Sequence, residues 1–458
     1  MYTDIKRNHF LKKWIPKLFV LLTIPSIIQW MNIPLGGTTL WWSVETAFLL
    51  FTFLFTFSYY NARLFQRLYS KRKLIAFWIY AKRKNDFLSL AKITLVLKKK
   101  SIEKIERINI PLPIVLYLIW IIISILYGCF KASYYWDWKN LYSNIMIYLL
   151  PVACVYFSDP SIIKKVCRTW ISFAMVAFWI LLPFMQMECP AKLLIPFAFF
   201  ILFWPYYNKK GVIICFVAFI CVFAFGTLGA RSSAIRFLAS LGFSFLVLFR
   251  QYIHKTVLSA ISVFFICVPI VLFTLGVTGQ FNIFKFGDYI DVDISVDNSF
   301  EEGEKENLSA DTRTLLYVET LASSIENDYW LFGNSLSQGY YSKSFAQDDE
   351  IEGRGMRYNN EVGILNIFTT LGIVGVTLYL FIYLYTLINV FMNCNNKALY
   401  ILAILLSFRW FFSFFEEFTR FDLNTIFLWI EFGICNSNYF LRMSDLQFKR
   451  WAKDLIIK

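Results

Sequence analysis

The side chains in this sequence best placed for chemistry are arginines and carboxylates set at the edges of long apolar runs. Arg231, in Gly226-Thr-Leu-Gly-Ala-Arg231-Ser-Ser, and Arg236 five residues on fall where one apolar run ends and the next begins. Arg313 opens an amphipathic stretch inside a long polar segment, and Arg409, Glu416, Glu417 and Arg420 lie in or just beyond a later apolar run. A guanidinium is a planar fork of donors that grips a phosphate or carboxylate through paired hydrogen bonds. Ionisable groups inside or beside membrane-spanning segments are functional candidates by default. The structural alternative is an ion-pair network that closes a helix bundle, or, for Arg231, an interfacial arginine reaching to headgroups.

Other chemistries are poorly served. Only two histidines occur, His9 and His254, and the topology derived below puts both on the cytoplasmic side. Zinc geometries that need histidine or cysteine are therefore not expected on the outer face, and no metal site is assigned. The spacing Asp291, Asp293, Ser295 and Glu302 loosely mimics a calcium loop but has Val296 where the sharp turn needs glycine. No glycine-rich nucleotide motif follows a strand, so no cofactor is expected. The nine cysteines fall mostly within apolar runs, where they read as small hydrophobes, although Cys129 and Cys189 sit near outer ends and could pair.

The elements that position these groups follow from hydropathy. The 458 residues are 58% hydrophobic and 20% aromatic, with a mean hydropathy of +0.54, well beyond the roughly 45–50% apolar share of soluble domains. A spanning helix needs about 20 apolar residues, because its backbone must satisfy itself across about 30 Å of hydrocarbon. Twelve runs qualify: 14–32, 40–59, 111–130, 141–157, 169–187, 193–207, 212–228, 234–249, 256–275, 362–391, 398–415 and 423–441. The expected fold is an all-α polytopic membrane protein of about 12 transmembrane helices. The first run has no small-residue cleavage site after it and is expected to remain as an anchor.

Orientation comes from lysine and arginine, which collect on cytoplasmic connections. Segment 61–109 carries 14 of them against Asp86, Glu103 and Glu106, and basic residues also crowd both ends of the chain. Both termini are accordingly cytoplasmic, and the formal charge of +14 has a topological origin rather than a nucleic-acid one. The organisation is spans 1–2 over residues 1–60, a basic cytoplasmic loop over 61–110, spans 3–9 over 111–275, a large acidic outer loop between spans 9 and 10 over 276–360, spans 10–12 over 361–441, and a basic cytoplasmic tail over 442–458. The basic loop alternates lysines with Leu74, Ile75, Phe77 and Trp78 and is expected to lie on the lipid bilayer surface.

The outer loop holds 16 of the 31 acidic residues between 276 and 358, against six basic ones, and loops of this length usually carry function. Residues 289–298 alternate apolar and acidic in the period of a half-exposed strand. Residues 301–307 read as polar and mobile. Leu315, Val318, Leu321, Ala322 and Ile325 recur at helical spacing, predicting an amphipathic helix over 311–325 along the bundle. Trp330-Leu-Phe-Gly333 closes it with an aromatic turn suited to the membrane interface, and Arg313 on its first turn points toward something anionic. Gly372 and Gly375 in the tenth span read as close helix-packing positions.

Three segments, in order, resemble the O-antigen polymerase and O-antigen ligase superfamily: Leu228-Gly-Ala-Arg231-Ser-Ser, Arg313 with Tyr317 and Trp330-Leu-Phe-Gly333, and Tyr358-Asn-Asn-Glu361-Val-Gly-Ile-Leu-Asn-Ile-Phe-Thr-Thr-Leu-Gly372-Ile-Val-Gly375. The resemblance covers roughly 224–384. It implies a GT-C-like fold and transfer of a glycan from an undecaprenyl-pyrophosphate-linked oligosaccharide to an acceptor hydroxyl, at the periplasmic side of the bacterial inner membrane. Arg231 and Arg313 would hold the pyrophosphate, with Arg313 and Glu361 catalytic and Glu361 taking the acceptor's proton. Trp330, Tyr340 and Tyr341 are expected to stack on sugars or to anchor at the interface. A chain-length regulator and a flippase are partners that the resemblance allows. At the position where ligases and many polymerases carry histidine this chain has Glu361, which favours a polymerase over a ligase that builds on lipid A-core. A transporter, such as a polysaccharide flippase, would share the number of spans but would be expected to show internal repeats or broken helices.

Overall fold

The computed structural model describes residues 16–17, 19–20, 111–155, 157–185, 189–225, 231–277, 295–297, 305–307, 313–343 and 354–457. The first two expected spans, apart from Pro16, Lys17, Phe19 and Val20, and the basic loop 61–110 lie outside the described residues. The described chain is an all-α membrane protein. Four of its helices are long and apolar enough to cross a bilayer, over Leu112–Lys131, Pro160–Phe184, Lys255–Gly276 and Gly363–Asn393, and Ser232–Leu248 and Leu423–Cys435 are shorter apolar helices.

In chain order the helices are α1 (Leu112–Lys131), α2 (Tyr135–Tyr148), α3 (Pro160–Leu181), α4 (Cys189–Leu194), α5 (Phe197–Leu202), α6 (Lys209–Phe225), α7 (Arg231–Leu248) and α8 (Lys255–Val277). After them come strands β1 (Ser295–Asp297) and β2 (Lys305–Asn307), helix α9 (Arg313–Glu326), and strands β3 (Tyr340–Tyr341) and β4 (Met356–Arg357). Helices α10 (Gly363–Asn393), α11 (Lys397–Phe412), α12 (Leu423–Cys435), α13 (Asn438–Leu441) and α14 (Asp445–Lys453) complete the chain. β1 pairs antiparallel with β2, Ser295 opposite Asn307. The period-two reading around 295–297 therefore yields a strand, whereas 305–307, expected to be mobile, supplies its partner.

Proline sets where spans break. The expected span 193–207 is three short pieces, α4, α5 and a 3-10 turn at Trp204–Tyr206, interrupted at Pro196 and Pro205. Such backbone survives at membrane depth only inside protein, and here it is packed all round. Trp170, Phe199 and Phe200 meet Phe427 of α12 at ring distances of 5.8–5.9 Å, and Phe197 packs on Trp170 at 5.6 Å. Phe19 joins the same cluster against Phe157 and Phe427. The expected span 141–157 likewise becomes α2 followed by a 3-10 segment from Leu150 across Pro151.

A second break lies inside α10. Gly372 has φ 68° and ψ −171°, so the 31-residue run is a short helix to Leu371 followed by a longer one from Ile373 to Asn393. The second piece alone rises ~31 Å, one hydrocarbon thickness. The turn Trp330–Gly333 plugs the break. Ile373 and Val374 donate their N–H groups to the carbonyls of Trp330 and Leu331, and Asn334 N–H donates to Thr369 O. Trp120 Nε1 and Ser124 Oγ from α1 donate to Leu371 O and Thr370 O. Gly372 is thus not a helix-packing glycine. It holds a left-handed backbone against Leu331 O, which a Cβ would approach to 2.3 Å, and Gly333 mirrors it at φ 83° with Thr370 carbonyl atoms 2.5 Å from its own Cβ position. At Gly375 a Cβ would meet the side chain of Leu371, four residues earlier in the same run, so this glycine accommodates the break rather than a neighbouring helix.

Contacts sort the helix ends into two groups. At one end Trp451 Nε1 donates to Pro160 O, Arg168 Nε to Asp454 O, Asn396 Nδ2 to Phe440 O and Lys397 Nζ to Ile253 O. This end gathers Lys164, Lys165, Arg168, Arg250, Lys255 and Arg442. The opposite end gathers the turn after α1, helix α9, the segment 354–362 and the connection 413–422. Substituting alanine at Gly372 or Gly333 forces a Cβ into backbone at an unfavourable φ, at a cost of at least about 2 kcal/mol. Detergent-solubilised G372A and G333A protein should unfold at a lower temperature than wild type, whereas alanine at exposed Lys343 should not shift it.

Candidate functional site

The loop-side end of the bundle is held by a polar layer that begins at α10. Its first N–H groups have no partners within the helix, and Gly363 and Ile364 donate instead to Glu416 O and Ser413 O in the connection between α11 and α12. Just upstream, Asn360 accepts from Val362 N–H and donates to Thr320 Oγ1 of α9, while Asn366 Nδ2 donates to Asn360 O and Thr419 Oγ1. The Tyr358-Asn-Asn-Glu stretch therefore joins α9, α10 and the 413–422 connection into one unit.

That unit carries the charges. Arg313, at the start of α9, donates through Nη2 to Glu416 Oε1 at 2.7 Å, so the anion expected to face it belongs to the protein itself. Its Nε is buried without an acceptor. Arg409, in the last turn of α11, pairs through Nε with Glu431 of α12 at 3.1 Å and donates through Nη1 to Asn424 O at 3.0 Å. Glu431 is fully buried; it lies within the expected twelfth span, and the only sign of it in the sequence is a lone acid among apolar residues. Arg236 reaches across from α7, with its guanidinium 5.1 Å from the Phe412 ring and one long hydrogen bond, 3.4 Å, to Glu417 O. Arg420 pairs with the Glu417 carboxylate.

Arg236, Arg409 and Glu416, with Ser240, Phe412 and Asn424, line a partly open cleft between α7, α11 and α12 whose cavity is about 20 Å³, room for roughly one water. Of its cations, Arg409 is locked by Glu431 and Asn424, which leaves Arg236 with the weakest attachments. The structure thus brings together Arg236, Arg313, Arg409, Glu416, Glu417 and Arg420. Glu361 lies at the same end but outside this pocket, mostly exposed and paired with Arg357 at 3.3 Å. Arg231 is the first residue of α7, and its side chain lies outside the described part of the structure.

A second cluster, not singled out by the sequence, ties the loop down. Asp137 caps α2 by accepting from Ser133 and Tyr134 N–H, and also takes Tyr358 OH at 2.8 Å and Arg354 Nη1 at 3.3 Å. Burial pushes its carboxyl up, but the hydrogen bonds from Ser133, Tyr358, Gln338 and Tyr134 outweigh it and hold the group below its ordinary value. Arg354 lies over the Tyr134 ring, and Lys131 Nζ donates to Asn334. All nine cysteines are free, Cys129 and Cys189 included. Comparison with protein-family models, with curated proteins and with solved structures finds no match.

Two outcomes follow from this geometry. Removing one member of a buried ion pair costs about 3–5 kcal/mol, whereas replacing both by apolar residues is nearly neutral. E431L alone should therefore lower the melting temperature sharply and R409M/E431L should restore most of the loss. Burial raises the Glu417 carboxyl from 4.5 to about 7 against the pull of Arg420. The folded state then holds this proton more tightly than the unfolded chain does, so its contribution to stability is greatest below pH 4.5 and falls away as pH rises to 7. A melting-temperature profile over that window should be flatter in E417Q than in wild type.

Proposed function

We propose that this chain is a membrane glycosyltransferase that polymerises a bacterial surface polysaccharide such as O-antigen, taking its glycan from undecaprenyl pyrophosphate. The observation that carries the reading is the arginine cluster at the loop-side end, where Arg236 and Arg409 line a small cleft with Glu416, the partner of Arg313. A pyrophosphate is a competent leaving group once its developing charge is neutralised, and fixed guanidinium groups in a water-poor site do that without reorganising. In the reaction the acceptor hydroxyl oxygen bonds to the anomeric carbon of the donor glycan. The carbon–oxygen bond to pyrophosphate breaks, its electron pair leaves with the phosphate, and the hydroxyl proton passes to a carboxylate. Glu361, exposed on the same end and oriented by Arg357, is accessible to an incoming acceptor and takes that role in this reading. Arg231 and Arg313, with Arg236 now added, bind the pyrophosphate.

The reading places the pocket on the periplasmic side of the inner membrane, with both termini cytoplasmic and about 12 spans in all. It is supported by the basic residues Lys164, Lys165, Arg168, Arg250, Lys255 and Arg442 gathered at the other end of the described bundle. The acceptor is a second lipid-linked repeat unit; a chain-length regulator and a flippase would act beside it. Transport is favoured by one observation, the broken helix α10, since discontinuous helices build transporter sites. The N–H groups of Ile373 and Val374 and the carbonyls of Thr369, Thr370 and Leu371 are taken by the Trp330–Gly333 turn, Asn334, Trp120 and Ser124, however, which leaves those groups no ion to hold.

The reading is tested on surface polysaccharide resolved by gel from a strain lacking the protein, complemented with wild type, R231A, R236A, R313A or E361Q at matched expression. Polymerisation predicts lipid A-core capped by a single repeat in the deletion, a ladder restored by wild type, and at least tenfold less ladder with each arginine variant. Full-length polymer held on undecaprenyl pyrophosphate would identify a ligase instead, and an unchanged ladder would exclude both.

A further inference from the structure

Helix α9 has its amphipathicity turned outward. Its buried face carries Leu316, Glu319, Thr320, Ser323 and Ser324, while Leu315, Val318 and Ile325 are 49%, 57% and 67% exposed. The polar face is committed by hydrogen bonds. Glu319 accepts from Ser342 Oγ at 2.6 Å, Thr320 from Asn360 Nδ2 at 3.1 Å, and Ser323 Oγ from both Tyr329 OH and Tyr341 N–H. Rotating the apolar stripe inward would leave these groups buried without partners, at about 1–3 kcal/mol each. The stripe therefore faces away from the protein and continues into Trp330 and Phe332 of the following turn, both also exposed.

Two anchor points fix how the helix lies. Near its start, Tyr317 packs on Phe273 of α8 at 5.7 Å and donates to Phe414 O. Phe273 stands 18 residues above Lys255 at the basic end, ~27 Å along a helix axis. Beyond its other end, Trp330 and Leu331 dock on Ile373 and Val374, about 20 residues above Asn393, ~30 Å. Both ends thus sit about one hydrocarbon thickness from the basic end, which lays α9 along the membrane plane at the far interface. Apolar residues are also exposed on the spans that α9 and its turn touch: Ile270 and Val271 of α8, Ile373 of α10, and Ile119 and Ile123 of α1, whose Trp120 packs on Phe332.

We propose that α9 and the Trp330–Gly333 turn form an in-plane anchor whose apolar stripe is covered by the acyl chains of phospholipids in the loop-side leaflet. A surface of this kind, apolar outward and hydrogen-bonded inward, is what an interfacial helix presents to lipid, and Trp330 and Phe332 stand where aromatic side chains gather at that boundary. The anchor holds Arg313, at the head of the helix, at headgroup height beside Glu416, independently of what the arginine pocket binds.

The test places a photo-crosslinking amino acid at Val318 or Ile325 of the full-length protein, with Lys343 as the exposed control, in native membranes. After irradiation, adducts are identified by mass spectrometry. Phospholipid adducts at 318 and 325 at least fivefold above those at 343 are expected. Adducts to another protein or to a second copy of the chain would overturn the proposal, as would lipid adducts no more frequent than at 343. Because both positions are exposed, monodisperse elution of each variant shows that the fold is retained.

Discussion

Backbone hydrogen bonding in a medium without water is the constraint on which the rest of this structure depends. Inside hydrocarbon each orphaned N–H or carbonyl costs several kcal/mol, so irregular backbone must find its partners within the protein. Among the described residues the chain breaks expected spans across Pro151, around α4 and α5, and at Gly372, and it meets the requirement differently in the last two. Around α4 and α5 the breaks are buried under Trp170, Phe197, Phe199 and Phe427. At Gly372 the freed groups are matched one by one to the Trp330–Gly333 turn, Trp120 and Ser124. This second solution couples a loop 40 residues upstream to the middle of a span. It also explains why glycine stands at both 333 and 372, where the two backbones approach too closely for any Cβ.

The same economy governs the charges. Desolvating a guanidinium is costly unless a carboxylate or carbonyls compensate, and each described arginine of the pocket region is compensated to a different degree. Arg409 has a buried carboxylate and a carbonyl, Arg313 has a carboxylate but an unsatisfied Nε, and Arg236 has an aromatic ring and one long bond to a carbonyl. That gradient separates roles which composition alone would treat as equal. Arg409 serves the joint between α11 and α12, whereas Arg236 and Arg313 are less completely compensated.

Much of this architecture was legible in the sequence. Apolar run lengths located α1, α8, α10 and α11 within a few residues, since one helix must satisfy itself across the bilayer, and helical spacing located α9 after Ser309 and Asp311. The grouping of Arg236, Arg409, Glu416, Glu417 and Arg420 also followed from their common place at one end of the eighth and eleventh expected spans. What the sequence concealed depends on partners distant along the chain. The break at Gly372 looks like an ordinary small residue until the turn at 330–333 is brought to it. Glu431 reads as a single acid in an apolar run until Arg409 meets it. Asp137, between two tryptophans, has no local pattern that announces Arg354 and Tyr358. The pairing of 305–307 with 295–297 was hidden by charge, because three-residue strands carry too little period to separate them from loop.

The inward polarity of α9 follows from the same accounting of hydrogen bonds. A helix laid on an apolar bundle ordinarily turns its hydrophobic side down. Beneath α9, however, lies not the flank of a span but the polar layer of Asn360, Asn366, Thr419 and the 413–416 carbonyls, which caps the first turn of α10. Facing that layer, Glu319, Thr320 and Ser323 are the complementary side, and Leu315, Val318 and Ile325 are left to whatever surrounds the protein. In water such a stripe would be a liability; at a membrane boundary it is a contact surface. The helix thus reads correctly only once the medium on its outer side is counted as one of its packing partners.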